Sequence, residues 1–488
     1  MKPRLMNSVF ADSLKRGKDV SASDVSDGKA YLLRITESRP TKGFIAPTEE
    51  DGLLLERVAS VQNLAQAILN VARNQGAAGV DGVSVNQVVG NARLLLPKLH
   101  AALLRGDYRP GDIKRVWIPK PGKKEKRALG IPSVIDRWVQ QAVLQVLQPI
   151  YEPTFHPSSH GFRPKRGAHT AIPEAKRNVE NGYQVVVDID LSKFFDRVNH
   201  QRLLGRLEQK IQDRRILDLI RQMLQAKVVL PNGTKVMTEE GTPQGGPLSP
   251  LLSNIVLDEL DWELEKRGLR FVRYADDCKI YVRSERAGRR VMESISRFIE
   301  RRLRLVINRE KSSVCRPDQN HFLGFRLCPK SEGKVEIHLS ARSEERLEER
   351  IRQLTPRSWG QSIDACIEQL NQYLQGWIAY FRICTPEGAE LFRRLDAHIR
   401  RRLRVIIIRQ KKRARHLYRH LVACGVGERA AAGTAFSRRG IWRRSNYPGM
   451  TKAYPVSWFT ERMVTLYLEW CQLNPPTLVS GQQLLFDL

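Results

Sequence analysis

Two adjacent acidic residues, Asp276 and Asp277, stand within an otherwise apolar stretch of the chain. The residues on either side, Phe271-Val272-Arg273 and Lys279-Ile280-Tyr281-Val282, predict two strands around a tight turn. Neighbouring carboxylates at such a turn repel each other unless a cation lies between them. Their oxygen ligands suit Mg²⁺, which takes its remaining ligands from water and substrate phosphates. Because paired Asp residues also occur in ordinary turns, the pair alone does not establish a metal site.

A third acid, Asp190, follows the β-branched run 185–189, which predicts a buried strand. Asp188 lies two residues earlier on the same predicted face, so the strand pattern does not choose between the two. Asp196 is interpreted as an acid at the start of a helix. One carboxylate at a strand end and a pair on a neighbouring hairpin form the arrangement that two-metal phosphoryl transfer uses.

Three motifs follow one another along the chain: the segment 190–196, the segment 241–250 with Pro243-Gln244-Gly245-Gly246, and Tyr274-Ala275-Asp276-Asp277. Their order and intervals resemble the palm motifs of reverse transcriptases. The Pro-Gln-Gly-Gly form, with Ser-Pro and Asn254 after it, is similar to the group II intron lineage.

The resemblance implies roles for individual residues. Asp190 and Asp276 would bind two Mg²⁺ ions, with Asp277 assisting, and the motif spacing selects Asp190 over Asp188. Phe195 matches the bulky residue that excludes a ribose 2′-hydroxyl, with ordinary core packing as the alternative.

Four more residues are implied to contact the incoming dNTP. Lys120 and Arg127, in a segment similar to the fingers motif, would hold the triphosphate. Gln244 would line the nucleotide site, and Lys311 would protonate the pyrophosphate. The implied substrates are an RNA template with a DNA primer.

The charge of the chain predicts a polyanionic partner. Lys and Arg number 82 against 52 Asp and Glu, which gives a net charge of +30 and a pI near 10.2. A packaging protein is the alternative, but 8 Trp, 12 Tyr and 15 Phe disfavour it. The predicted RNA-binding residues lie in the segment 161–167, which resembles group II reverse transcriptases, and in the basic C-terminal third. They are Arg163, Lys165, Arg166, Arg400, Arg401, Arg404, Lys411, Lys412 and Arg413.

The C-terminal third carries further resemblances. Leu370–Phe381 is similar to the maturase-specific helix, which serves as polymerase thumb and as grip on intron RNA; a plain thumb is the alternative. The stretch 437–470 resembles a segment that binds target DNA. The chain ends without the Cys/His constellation of the family's nuclease domain, so we expect no target-strand cleavage. Gln482, Leu485 and Phe486 resemble a peptide that binds the replication sliding clamp.

Cysteine usage and hydropathy bear on location. Seven cysteines, none in a Cys-x-x-Cys pair, predict free thiols in a reducing compartment. The sequence contains no apolar run of about 18 residues, so we expect no membrane partner. The expected location is the bacterial cytoplasm.

The predicted fold is α+β, a right-hand polymerase with a helical maturase or thumb domain and a basic C-terminal segment. The predicted domains are 1–52 (a loosely ordered extension), 53–182 (fingers), 183–330 (catalytic palm), 331–425 (thumb and maturase), 426–475 (DNA binding) and 476–488 (tail).

The predicted function is that of a group II intron protein that binds its intron RNA, assists splicing and copies the intron into DNA during mobility. Two alternatives stay open at the level of sequence. One is a domesticated or defence-associated reverse transcriptase that acts on other RNA, and the other is a splicing factor without polymerase activity.

Overall fold

The computed structural model describes residues 20–37, 53–119, 126–238 and 240–475. Its described residues fall into two compact units. The first comprises those of Met1–Ala171 and Val185–Val314, and the second those of Ile172–Gln184 and Cys315–Leu488. Helices and strands alternate between Ile113 and Leu339, the strands pair mostly antiparallel, and the described residues on either side are helical, as in an α+β fold.

The first unit holds most of its helices in the N-terminal half. The helices that lie wholly in this unit are Ala22–Glu37, Leu54–Ala59, Val61–Arg73, Val85–Gly90, Ala92–Leu104, Val134–Tyr151, His200–Glu208, Arg214–Leu224, Ser249–Lys266 and Glu285–Phe298, the last continuing as a π-helix over Ile299–Leu303. The helix Ala168–Glu180 spans the division between the units.

Capping side chains set where several of these helices begin. Ser60, Ser133 and Asn199 each accept a hydrogen bond from a backbone N–H of the first turn, a group that otherwise lacks an intrahelical partner. Ser84 forms a full capping box with Gln87. Ser60 also divides the helical stretch from Leu54 to Arg73 into two helices, because it ends the first and caps the second.

One four-stranded sheet of the first unit has the order β2-β1-β4-β5. Its strands are β1 (Ile113–Pro119), β2 (Lys126–Ile131), β4 (Val228–Val229) and β5 (Lys235–Val236). β1 and β2 pair antiparallel, with Ile118 opposite Arg127. This hairpin therefore fixes the position of Arg127.

The second four-stranded sheet has the order β6-β7-β3-β8 and carries the predicted acids. Its strands are β3 (Val185–Ile189), β6 (Arg270–Tyr274), β7 (Asp277–Val282) and β8 (Ser313–Cys315). β7 is the central partner of β3 and β6, antiparallel to both. Val187, Ile189 and Ile280 are fully buried, so one large apolar core supports this sheet.

The second unit is mainly helical beyond one antiparallel hairpin, β9 (Phe325–Pro329) with β10 (Val335–Leu339). Its helices are Ala341–Leu354, Ile363–Phe381, Pro386–Gln410, Ala414–Ala423, Glu428–Ala435, Ile441–Arg444, Pro448–Ala453, Val456–Thr460 and Leu466–Leu473. Trp377, Phe381 and Phe392 pack together in its core, with Trp377 and Phe381 ring centroids 4.4 Å apart.

One expectation about order is wrong. Residues 22–37 form a helix rather than part of a loosely ordered extension, and Leu32 of that helix is fully buried. In the second unit, the helices Pro386–Gln410 and Ala414–Ala423 are separated by a break, where Lys412 takes a left-handed conformation with φ of 49°. The division between the units after Val314 does not separate fingers from palm, so those finer boundaries stay predictions.

Candidate active site

The pairing of β3 with β7 brings the predicted acids together. Ile189 pairs with Cys278, so Asp190 at the end of β3 lies beside Asp277, the first residue of β7. Burial, followed by the negative charge of Asp190, raises the pKa of Asp276 above its ordinary value. Asp190 and Asp276 thus face each other closely enough to repel.

The backbone around Asp190 is held by a later segment of the chain. The Asn308 N–H donates to the Asp190 carbonyl at 2.8 Å, and the Asp190 N–H donates to the Ser312 hydroxyl at 3.1 Å. Lys311, the residue predicted to protonate pyrophosphate, lies between these two contacts and is exposed. The structure therefore places Lys311 in the segment that borders Asp190.

The two adjacent acids of the hairpin have different surroundings. The Lys279 ammonium lies 2.8 Å from an Asp277 oxygen and 2.6 Å from an Asp188 oxygen, and Lys279 is 2% exposed. Burial raises the pKa of Asp277, and Lys279 opposes that rise. The structure therefore separates Asp188, which pairs with Lys279, from Asp190, which acts on Asp276.

The carboxylates of Asp190 and Asp276 fit a Mg²⁺ site in which the protein supplies only one or two of the ligands. Within the described residues, no group of three or more His, Cys, Asp or Glu side chains is arranged to hold an ion. Mg²⁺ in phosphoryl-transfer sites is usually bound by one or two carboxylates, with water and substrate phosphates supplying the rest. The mutual repulsion of Asp190 and Asp276, which a cation would relieve, agrees with that donor set.

The loop 240–246 holds the backbone of Phe195. The Thr242 N–H donates to the Phe195 carbonyl at 2.6 Å. Gly241 has φ of 95°, and a Cβ there would lie 2.8 Å from the same carbonyl. The buried His200 donates through Nε2 to the Gly241 carbonyl at 2.6 Å. Phe195 itself is half-buried and packs edge-on against Phe194, with ring centroids 5.2 Å apart.

The same loop is tied to the strand that carries Arg127. The Gly130 N–H on β2 donates to the Gln244 carbonyl at 2.7 Å. Gly245 has φ of 127° and approaches so closely that a Cβ would lie 2.5 Å from the Gly130 carbonyl. Arg127 is near enough for its charge to lower the pKa of Asp276 against the effect of burial. Lys120 lies outside the described residues.

Arg163 was predicted to contact RNA, but its position in the structure contradicts that prediction. Arg163 is 8% exposed, and its guanidinium donates to the Glu152 carboxylate at 2.9 Å and to the carbonyls of His156 and Ser159. Its charge is neutralised inside the protein, so its role is structural. Lys165 is exposed, and Arg166 donates to the Pro157 carbonyl.

The basic residues predicted in the second unit differ among themselves. Arg404 is 7% exposed and donates to the Tyr454 carbonyl at 2.6 Å, so its predicted RNA contact is also corrected. Arg400 is half-buried, and Arg401 lies over the Trp442 ring at 4.1 Å. Lys411 is half-buried, whereas Lys412 and Arg413, at the break between two helices, are exposed.

Sequence reasoning missed Lys279 and Arg273, two charged residues buried within the strands of the β6–β7 hairpin. Lys279 interrupts the apolar run Cys278–Val282, and this interruption was a usable signal. Arg273 carried no such signal because basic residues are common throughout the chain. The predicted clamp-binding residues Gln482, Leu485 and Phe486 lie outside the described residues.

No helix within the described residues combines the length and the apolar character needed to cross a lipid bilayer.

Two family profiles match the chain. One, described as reverse transcriptase (RNA-dependent DNA polymerase), matches residues 118–327. The other, described as group II intron, maturase-specific domain, matches residues 345–425.

Individual proteins also match parts of the chain. Protein YkfC of Escherichia coli (strain K12) is 33% identical over 318 residues, covering 57% of this chain and 83% of YkfC. The group II intron-encoded protein LtrA of Lactococcus lactis subsp. cremoris is 36% identical over 248 residues, covering 51% of this chain and 40% of LtrA. The alignment thus spans most of YkfC but less than half of LtrA. A solved chain titled partial Cas6-RT-Cas1–Cas2 complex matches 51% of this chain and 42% of its own length at 24% identity, with a TM-score of 0.33.

Proposed function

Because the chain belongs to the family of group II intron reverse transcriptases and maturases, we propose that it binds a group II intron RNA, assists its splicing and copies it into DNA during intron mobility. The proposed reaction joins a primer 3′-hydroxyl to the α-phosphorus of a dNTP. A new P–O bond forms, the bond to pyrophosphate breaks, and an RNA strand serves as template.

The single observation that carries the catalytic proposal is the juxtaposition of Asp190 and Asp276 across the β3–β7 pair. In the proposal these carboxylates hold two Mg²⁺ ions, and Asp277 assists. When bound, such ions lower the pKa of the attacking hydroxyl and neutralise charge on the leaving group. The fit of the carboxylates to Mg²⁺ described above supports this assignment.

The other side chains are proposed to bind and orient the nucleotide. Arg127 directs its guanidinium charge toward the triphosphate, and the tie between Gly130 and Gln244 supports a shared nucleotide pocket for Arg127 and Gln244. Phe195 blocks the space that a ribose 2′-hydroxyl needs. Lys311 donates a proton to the departing pyrophosphate.

The RNA-binding part of the proposal is supported by the maturase-specific match over residues 345–425 and by exposed basic residues in the second unit. Exposed Lys and Arg gain affinity for RNA by releasing counterions from its phosphates. The intron RNA is the proposed ligand, and target DNA is the proposed destination of the copy.

Primer extension on an RNA template tests the catalytic proposal. The Asp276→Asn variant should lose incorporation by at least about a thousandfold, since one of the two opposed carboxylates is neutralised. The Asp218→Asn variant makes the same acid-to-amide change at an exposed ion pair with Arg221 and should extend primers like the parent. Equal incorporation by the parent and Asp276→Asn contradicts the proposal.

A further inference from the structure

Arg273 is a completely buried arginine on β6, three residues before Asp276. Its guanidinium donates five hydrogen bonds to four residues. Nε and Nη2 donate to the two oxygens of Asp261 at 2.7 and 2.5 Å, and Nη2 also donates to the Ser159 hydroxyl at 2.7 Å. Nη1 donates to the Asn254 amide oxygen at 3.0 Å and to the Ala275 carbonyl at 2.8 Å. Burial lowers the pKa of Arg273, but the charge and hydrogen bonds of Asp261, together with the charges of Cys278 and Asp258, oppose it, and the net change is upward.

The contact with the Ala275 carbonyl lies inside the catalytic turn. Ala275 has φ of 58°, a left-handed conformation that residues with a Cβ rarely adopt without external support. The turn between β6 and β7 consists of Ala275 and Asp276, because Tyr274 pairs with Asp277. The conformation of Ala275 therefore sets the direction in which Asp276 leaves the strand.

The segment 158–161 packs against the same turn. The His160 N–H donates to the Arg273 carbonyl at 2.8 Å, and the Arg273 N–H donates to the Ser158 carbonyl at 2.9 Å. Gly161 packs so closely that a Cβ there would lie 2.2 Å from the Ala275 nitrogen. Asn254 donates to the Gly161 carbonyl at 2.9 Å, so the helix Ser249–Lys266 holds this segment in place.

General stability does not require a charged group at this position. A buried ion pair can often be replaced by apolar residues of similar volume at little cost, because desolvation of the charges offsets their attraction. The planar fork of an arginine instead offers donors in fixed directions, which here reach Asp261, Ser159, Asn254 and Ala275 at once. The arrangement therefore favours a role in geometry.

We propose that Arg273 is a positioning residue for nucleotidyl transfer, which fixes the left-handed Ala275 and thereby aims the Asp276 carboxylate at Asp190. This inference rests on the proposed function and names a residue that acts through the backbone of the turn. Arg273 itself touches neither substrate nor metal in this account.

The Arg273→Lys variant tests the proposal, since it keeps a positive charge for Asp261 but loses the fork that reaches Ala275. The expected result is a roughly 10- to 100-fold fall in kcat, comparable to the loss of a group that orients a ligand of a metal. The Mg²⁺ concentration for half-maximal activity should rise several-fold, with little change in KM for dNTP. Arg215→Lys is the matched control, because Arg215 also binds a carboxylate by its fork and its partners, Glu56 and Asp213, lie outside the site.

A second variant guards against simple misfolding. The pair Arg273→Met with Asp261→Leu removes both buried charges and fills the space with apolar groups, so no unpaired charge is left and a cooperative unfolding transition should remain, lowered by the lost bonds to Ser159, Asn254 and Ala275. Its kcat, normalised to active sites counted from the burst of the first turnover, should fall as in Arg273→Lys. A folded double variant with the kcat and Mg²⁺ dependence of the parent overturns the proposal.

Mn²⁺ binding followed by electron paramagnetic resonance gives a readout that needs no polymerisation. Arg273→Lys should bind Mn²⁺ several-fold more weakly than the parent and Arg215→Lys. The part of the Mn²⁺ signal that is lost in Asp276→Asn identifies the ions bound at the site. Loss of Mn²⁺ affinity in Arg273→Lys without any primer extension by the parent would refute the proposed function while supporting the positioning role. Unchanged affinity in Arg273→Lys would refute the positioning role.

Discussion

Lys279 and Asp277 lie on the same face of β7, two residues apart, with the Lys279 ammonium 2.8 Å from an Asp277 oxygen. The same ammonium binds Asp188 of the neighbouring strand at 2.6 Å. The charge of Asp277 is therefore partly balanced from within the protein, whereas Asp276 is opposed by the like charge of Asp190. Two acids adjacent in sequence thus enter the site in different electrostatic states.

Removal of Lys279 should destabilise the protein. Lys279→Met leaves the half-buried carboxylates of Asp188 and Asp277 without the charge of the buried Lys279; breaking a fully buried pair costs about 3 to 5 kcal/mol, and solvent around Asp277 should keep the loss below that range but above about 1 kcal/mol. Denaturant unfolding measures this loss. Lys235→Met breaks an exposed ion pair with Asp112 and should cost less than about 1 kcal/mol. Equal losses of unfolding free energy in the two variants would show that the ion pairs of Lys279 stabilise the fold no more than an exposed ion pair does.

The two acids of the hairpin should also differ in catalysis. Asp277→Asn should keep at least about ten times the primer-extension rate of Asp276→Asn, a difference of about 1.4 kcal/mol in the activation barrier. The reason is that Lys279 already holds Asp277, while Asp276 is free to respond to a cation. Single-turnover rates on one template measure both variants, and a lower rate for Asp277→Asn would reverse the assignment.

His200 should influence the choice between dNTP and rNTP through the loop that holds Phe195. His200→Leu removes the donor to the Gly241 carbonyl and should lower the ratio of kcat/KM for dNTP over rNTP by about three- to tenfold. His200→Gln retains an N–H donor of similar reach and should keep the ratio of the parent. Phe195→Ala sets the upper limit of the effect. If His200→Leu keeps the parent's ratio of kcat/KM for dNTP over rNTP, His200 does not contribute to the choice between the two nucleotides.

Stability should depend on pH through Asp258. Burial, followed by the charge of Asp261, raises the pKa of Asp258 to about 6, and one of its oxygens has no hydrogen-bond partner among the described residues. The folded state therefore binds this proton more tightly than the unfolded state. The stabilisation is fully present below about pH 4 and is lost as pH rises through 6, by up to about 3 kcal/mol.

Asp258→Asn isolates this contribution because the amide does not titrate. The difference in unfolding free energy between the parent and Asp258→Asn should change by the same amount, about 3 kcal/mol, between pH 4 and pH 7. Above pH 6 the variant should be relatively more stable. A difference that stays constant over this range would exclude a titrating Asp258.

RNA affinity should depend on the exposed basic residues Lys412 and Arg413, which lie between two helices of the second unit. Lys412→Gln with Arg413→Gln removes two exposed charges and should reduce the slope of log affinity against log salt concentration by about 1.4 to 1.8. Arg404→Gln is the contrasting variant, since Arg404 is buried against the Tyr454 carbonyl. It should lower stability and leave the slope unchanged. Filter binding at several salt concentrations measures the slope.

Three strands of the β6-β7-β3-β8 sheet were predictable from the apolar residues in their sequences. Val185–Ile189 was expected from its β-branched run and the two strands around Asp276 from their apolar residues, and the structure shows all three. The convergence of Asp190 with Asp276 required the motif order in addition, since strand periodicity treats Asp188 and Asp190 alike.

The rest depended on contacts that no local pattern reveals. Arg163, Arg273 and Arg404 resemble surface residues in sequence, yet each is buried because a distant carbonyl or carboxylate accepts from its guanidinium. The helix at 22–37 was missed because its mostly polar sequence hides the packing of Leu32 and Gly28, the latter against the Val89 carbonyl. Tertiary partners decide such positions.

The hydrogen bond from the Gly130 N–H to the Gln244 carbonyl joins two peptide groups and involves no side chain. If Arg127 and Gln244 bind the nucleotide as proposed, substitutions at either should change which nucleotide features are recognised while the backbone around them persists. Gly245 has no such latitude, since a Cβ there would lie 2.5 Å from the Gly130 carbonyl, and a Cβ on Gly130 would lie 3.0 Å from Cγ2 of Ile113. Substitutions that change substrate preference are therefore expected at Arg127 and Gln244, while Gly130 and Gly245 are expected to be retained.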